Sequence, residues 1–236
     1  MLRVSRLASG KPEIFLSVQG EGRTAGTASA FVRLATCNLA CTWCDTAYTW
    51  DWSRFDHDEL VMYMEPAEAA SRVEALATTN VVITGGEPLL QQAAGLGELA
   101  CSLAGTGHSI EVETNGTIAP SEQMLASVAR WNVSPKISSS GNAAGRREVP
   151  EALSALAALP NADWKFVITD RPDIEEAALL AGRYGVPAGR VLLMPEGTSA
   201  AVVTERSKWV MEEAVLRGFR FSSRLHVLLW GTERGR

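Results

Sequence analysis

"FVRLATCNLACTWCDT", residues 31–46, joins an apolar run to a tight group of thiols. The run, taken from Ser29 as "SAFVRLATC", has the β-branched and aromatic content of a strand and feeds straight into the thiol loop. Cys37, Cys41 and Cys44 are spaced C-x3-C-x2-C, and the chain's fourth cysteine, Cys101, stands far off in an apolar helical stretch. Cys101 is expected to be a small buried hydrophobe. A structural zinc site takes four ligands, commonly as two separated pairs, and the nearest histidine, His57, is flanked by acidic residues. An iron–sulfur cube held by three thiolates leaves one iron open to an outside ligand. The spacing therefore predicts an open iron–sulfur centre on one loop.

Outward from that loop, strand-like and helix-like stretches alternate. "EIFLSVQ" (13–19) reads as a strand before it, and "NVVIT" (80–84), "SIEVET" (109–114), "WNVS" (131–134), "DWKFVIT" (163–169), "RVLLM" (190–194) and "RLHVLLW" (224–230) as strands after it. Helices are expected over 65–77, with Pro66 near the start, within 89–107, and around 121–130, 151–158, 173–184 and 200–217. Such alternation implies parallel pairing and an α/β fold, with residues 1–236 forming one domain. "GGEP" (85–88), "TNG" (114–116), "SPK" (134–136) and "MPEG" (194–197) each follow a strand, as the cysteine loop does. In parallel α/β folds that edge carries the chemistry. "SSSGNAAGRRE" (138–148) is expected to be a mobile loop.

Composition narrows the partners. With 46% hydrophobic and 21% charged residues in a 236-residue chain, the protein reads as globular. A net charge of −5 argues against a nucleic-acid surface. The N-terminus lacks a signal-peptide core and no run reaches membrane-spanning length, so a cytoplasmic protein with reduced thiols is expected.

At the level of whole motifs, the cysteine loop with "GGEP" resembles the radical S-adenosylmethionine (SAM) superfamily. "SVQGEG" (17–22), "FVRLATCNLACTWCDT", "TGGEP" (84–88), "ETNG" (113–116) and "VSPK" (133–136) together are similar to the 7-carboxy-7-deazaguanine synthase family. The resemblance implies a trimmed, partial (β/α)6 barrel and a [4Fe–4S] cluster on Cys37, Cys41 and Cys44. It implies radical conversion of 6-carboxy-5,6,7,8-tetrahydropterin to 7-carboxy-7-deazaguanine with loss of ammonia, in queuosine and 7-deazapurine biosynthesis. SAM contacts are implied for Trp43, Cys44, Asp45, Gly86, Glu87, Ser134, Pro135 and Lys136, substrate contacts for Val18, Gln19, Gly20, Arg33 and Thr84, and a magnesium ligand for Thr46. No side chain is assigned as catalytic, because the SAM-derived radical abstracts the hydrogen. A homodimer and a flavodoxin or ferredoxin electron donor are further implications.

Residue types and periodicity bear on these roles separately. Arg33 shares a strand face with Phe31 and Ala35, where it suits bidentate capture of a carboxylate or, equally, a structural ion pair. Gln19 and Glu21 project with Phe15 and Ser17, and Glu113 and Lys165 point into the same cavity if their strands alternate. His226 and Trp230 either help to close the site or pack as a last core strand. The "WGTERGR" ending departs from the proline-terminated tail of some relatives, so no terminal carboxylate contact is carried over. A glycyl-radical activase and a non-enzymatic metal carrier are the competing readings; the activase does not explain "QGEG" beside an arginine-bearing strand, and the carrier would reduce "GGEP" and "SPK" to mere turns.

Overall fold

Apolar residues at alternate strand positions turn outward in the computed structural model, which describes residues 1–236, and meet the helices there. The elements in order are β1 (Leu2–Ser5), β2 (Ile14–Val18), β3 (Ala28–Leu34), α1 (His57–Leu60), β4 (Val61–Met64), α2 (Pro66–Glu74), β5 (Asn80–Gly85), α3 (Leu96–Gly105) and β6 (Ser109–Thr114). There follow α4 (Glu122–Ser127), β7 (Val128–Val133), α5 (Ala144–Arg147), α6 (Pro150–Ala157), β8 (Ala162–Ile168), α7 (Arg171–Arg183), β9 (Val191–Pro195), α8 (Ala200–Arg217), β10 (Arg220–Phe221) and α9 (Leu225–Trp230).

Six strands, β3 and β5 to β9, run parallel in sequence order, with short β10 added beyond β9. β1 and β2 pair antiparallel with β3, and β4 closes that side against β1. The path does not close on itself, so the sheet is the partial (β/α)6 barrel expected from the motifs. A core of 39 residues, among them Val32, Ile83, Val112, Trp131, Trp164 and Leu193, fills the layer between sheet and helices. Local signals support the crossovers: Asp170 caps α7 through a capping box with Asp173, and Ser199 caps α8.

Several expectations change. "RLHVLLW" forms α9, not a strand: a six-residue apolar run fits either state, and only Val227 within α9 is buried. The helix expected over 121–130 stops at Ser127, and β7 begins at Val128. The stretch 89–107 breaks at Gly95 (φ +121°) into a 3₁₀ turn and α3. Cys101 is exposed, its Sγ 3.2 Å from Ser127 Oγ, because it lies on the outer face of α3. Residues 138–148 contain a 3₁₀ turn and α5, packed on the cysteine loop. β1, β4 and β10 carry no sequence signal strong enough to have been read.

Candidate active site

Strand register assembles one wall of the site. Arg33 on β3 lies beside Thr84 on β5, and Ile83 beside Val112 on β6, which brings Glu113 next in line. Lys165 on β8 points inward by the same alternation, and all four side chains line one cavity. Thr84 Oγ1 donates to Glu113 at 2.6 Å, and Lys165 Nζ lies 2.5 Å from Glu21 and 3.6 Å from Glu113. Arg224, at the start of α9, joins Glu21 at 3.2 Å and also pairs with Asp45. Burial opposes ionisation of Glu21, but Lys165, Arg224 and His226 outweigh it and hold its carboxyl far below the usual range. Burial likewise disfavours charged Lys165, and Glu113 and Glu21 more than offset it, so the ammonium is a fixed cation rather than a base.

A second ionic group borders the same cavity. Glu13 is fully buried and accepts from Arg33 Nε at 3.1 Å, Tyr48 Oη at 3.0 Å and Arg234 Nη2 at 2.6 Å. Arg234 also sits 3.7 Å from the Tyr48 ring centroid. Burial works against the Glu13 anion, yet Arg33 and Arg234 lower its pKa overall. The ion-pair reading of Arg33 is thus realised through Nε, while its two terminal nitrogens donate no hydrogen bond within the chain. Gln19 is buried to 2% and uses its amide inside the barrel floor, donating to Glu111 at 2.9 Å and accepting from Glu21 N at 3.1 Å. Its side chain is therefore less free than the extended-strand reading assumed; Val18 and Gly20 border the cavity beside it.

The opposite wall is the cysteine loop. It leaves β3 through Thr36, held at φ +80°, an uncommon conformation for a β-branched residue. Thr36 N donates to Thr49 O at 2.6 Å and Glu87 N donates to Thr36 O at 2.8 Å, fastening both ends of the turn. A Cβ on Gly86 would collide with the Thr36 carbonyl, and one on Gly85 with the Leu34 backbone. The paired glycines thus permit β5 to press against the base of the loop. Glu87 is turned from the cavity: its carboxylate accepts from Leu89 N at 3.0 Å, Thr114 Oγ1 at 2.8 Å and Asn115 N at 2.6 Å. The side chain caps the turn that follows β5.

Cys37, Cys41 and Cys44 are all free and line the cavity. Each sulfur receives an N–H donor: Leu39 N to Cys37 at 3.4 Å, Asn142 Nδ2 to Cys41 at 3.3 Å, Trp50 Nε1 to Cys44 at 3.3 Å. Such donors suit thiolates that carry metal-bound charge, and three thiolates with an open fourth position fit an iron–sulfur cube. No three His, Cys, Asp or Glu side chains gather as they would around a single ion. Burial pushes the unligated Cys37 thiol up to about 11, so loading metal would displace its proton. Trp43, Asp45, Thr46, Gly86, Ser134 and Lys136 border the same space, whereas Pro135 does not. Lys136 Nζ lies 5.4 Å from the Trp43 ring centroid and donates to Ser134 Oγ at 2.8 Å.

Comparison with known proteins agrees with this arrangement. The Radical SAM superfamily profile matches residues 32–198. A 7-carboxy-7-deazaguanine synthase from Pyrobaculum aerophilum is 40% identical over 226 residues, spanning 95% of this chain and 96% of the relative. The chain belongs to this family. A 7-carboxy-7-deazaguanine synthase from Halobacterium salinarum is 36% identical over 242 residues, spanning 92% and 89% of the two chains. The crystal structure of QueE from Escherichia coli shares the fold, with a TM-score of 0.70 at 24% identity over 95% of this chain and 94% of that one. As a 7-carboxy-7-deazaguanine synthase family member, the protein is a radical SAM enzyme with a [4Fe–4S] cluster and SAM as cofactors.

Sequence reasoning missed Glu13, Tyr48, Asn142, Arg224 and Arg234. Only Glu13 offered a signal: a lone acid opening an apolar strand, two residues before Phe15, on the face that leads into the barrel.

Proposed function

We propose that the protein converts 6-carboxy-5,6,7,8-tetrahydropterin to 7-carboxy-7-deazaguanine with loss of ammonia. The observation that carries this reading is Arg33. Glu13 holds its Nε, and the two terminal nitrogens remain available beside Thr84 in the cavity shared with the three cysteines. A guanidinium presented this way can grip a carboxylate through two parallel hydrogen bonds. When bound, the cluster and SAM supply the 5′-deoxyadenosyl radical that takes a hydrogen from the pterin carbon bearing that carboxylate.

The chain's residues then orient and shield. Arg33 and Thr84 anchor the substrate's carboxylate end, and Val18, Gly20 and the Gln19 backbone border the pterin. Trp43, Cys44, Asp45, Gly86, Ser134 and Lys136 line the SAM side, with Pro135 shaping the turn between the last two. Thr46 offers one oxygen to magnesium, which takes its remaining ligands from water and substrate. Arg224 and Lys165 hold the acidic groups Asp45, Glu21 and Glu113 in a compensated row. A flavodoxin or ferredoxin as electron donor, a homodimeric assembly and a cytoplasmic location complete the proposal; no helix is long and apolar enough to cross a membrane. Anaerobic incubation of reconstituted protein with SAM, reductant, magnesium and the carboxypterin should yield a product with the mass of 7-carboxy-7-deazaguanine. SAM cleavage without that product would refute the substrate assignment.

A further inference from the structure

The segment after "SPK" packs over the cysteine loop and is tied to it by several hydrogen bonds. Thr42 N donates to Ser140 O at 3.0 Å, Trp43 Nε1 to Ser139 O at 3.1 Å, and Arg146 Nη2 to Asn38 O at 2.6 Å. Gly141 adopts φ +77°, and a Cβ there would stand 2.7 Å from Thr42 Cγ2, so the turn fits tightly over the loop. At its centre stands Asn142. Ala40 N donates to Asn142 Oδ1 at 3.0 Å, which fixes the amide orientation, and Nδ2 then faces Cys41 Sγ at 3.3 Å. Ser140 O and Oγ lie 3.4 and 3.3 Å from the same Nδ2, so its second hydrogen also has an acceptor.

We propose that Asn142 is a positioning residue that raises the reduction potential of the cluster through an N–H···S hydrogen bond to Cys41. A reduced cluster carries one more negative charge, mostly on its sulfurs and irons. A donor aimed at a ligating sulfur stabilises that state more than the oxidised one. Cys41 is 8% exposed, so water does not readily replace the donor. The segment that composition marked as a mobile loop thus carries a neutral dipole to one corner of the cluster, from 101 positions along the chain. The inference rests on the cluster assigned to Cys37, Cys41 and Cys44.

Redox titration of reconstituted holoenzyme, followed by the electron paramagnetic resonance signal of the reduced cluster without substrate, tests it. The electron is supplied by dithionite through mediators, and iron content is measured on each sample. In Asn142→Ala the reduced-to-oxidised ratio at fixed potential should fall roughly tenfold, equivalent to ~59 mV for a one-electron couple. Asn142→Asp keeps an oxygen for Ala40 N but turns an anionic oxygen toward the sulfur, and should shift at least as far in the same direction. Arg146→Ala removes only the outer clamp and should titrate as wild type. Unchanged potentials in both Asn142 variants at full iron content would overturn the assignment. So would an equal shift in Arg146→Ala, or loss of iron from both Asn142 variants with Arg146→Ala intact, since each points to a purely structural brace. Failure of the wild type itself to take up a four-iron cluster would instead strike at the proposed function.

Discussion

The two walls of the cavity are built on opposite electrostatic plans. The cysteine wall meets its sulfurs with neutral donors, Leu39 N, Asn142 and Trp50. The facing wall is almost wholly ionic, with Glu13 between Arg33 and Arg234, and Glu21 between Lys165 and Arg224. Neutral dipoles tune a site whose charge is supplied by what binds there. Ion pairs instead arrive already compensated, and hold their geometry before any ligand enters. Loss of a thiol should therefore act on ligand loading at the first wall, loss of a neutral donor there on the tuning of what is loaded, and loss of an ion-pair partner on stability at the second.

The largest effect is expected at the cysteines. Alanine at Cys37, Cys41 or Cys44 should abolish iron binding and SAM cleavage while the fold persists, whereas Cys101→Ala should retain full iron. Iron assay and circular dichroism on the same samples read both outcomes, and iron loss in Cys101→Ala would remove the distinction between the thiols. At the ionic wall, Lys165→Met leaves Glu21 and Glu113 short of a cation and should destabilise the protein by about 3–5 kcal/mol in urea unfolding. A change under 1 kcal/mol, roughly that of an exposed pair, would mean that the wall is solvated rather than compensated.

Arg33→Lys should act more narrowly. Cluster assembly and SAM cleavage without substrate should stay near wild type, while turnover falls about tenfold or more, ~1.4 kcal/mol of transition-state stabilisation. Wild-type product formation in that variant would place the carboxylate elsewhere. The smallest effect concerns acid stability. Glu13 titrates below its ordinary 4.5, so its stabilisation is complete above that value and is lost as pH falls through the folded-state pKa. Glu13→Gln should flatten the acid limb of the stability profile below pH 4.5, and an unchanged limb would mean that other carboxylates account for it.

Local pattern accounts for what was legible. Thiol spacing marked the cysteine loop, strand alternation pointed to Arg33, Glu113 and Lys165, the family resemblance added Thr84, and all four line one cavity. Contacts closed over long stretches of chain left no such trace. Glu13 meets Arg234 across 221 positions, Glu21 meets Arg224 across 203, and Asn142 meets Cys41 across 101. No periodicity connects residues so far apart. Glu87 was half legible for a different reason: a carboxylate before proline at a strand end suits a ligand contact and a helix cap alike, and its three internal donors show the cap. Cys101 shows that a thiol in an apolar run can still occupy the outer face of its helix.

The 39-residue core contains none of the four cysteines. Its packing lies behind the sheet, so the scaffold does not draw on iron for its cohesion, unlike small domains that collapse when stripped of metal. Oxygen that dismantles the inorganic centre would leave an intact vessel behind. The expected outcome is an apoprotein that stays folded and, once its three thiols are reduced, can be refilled.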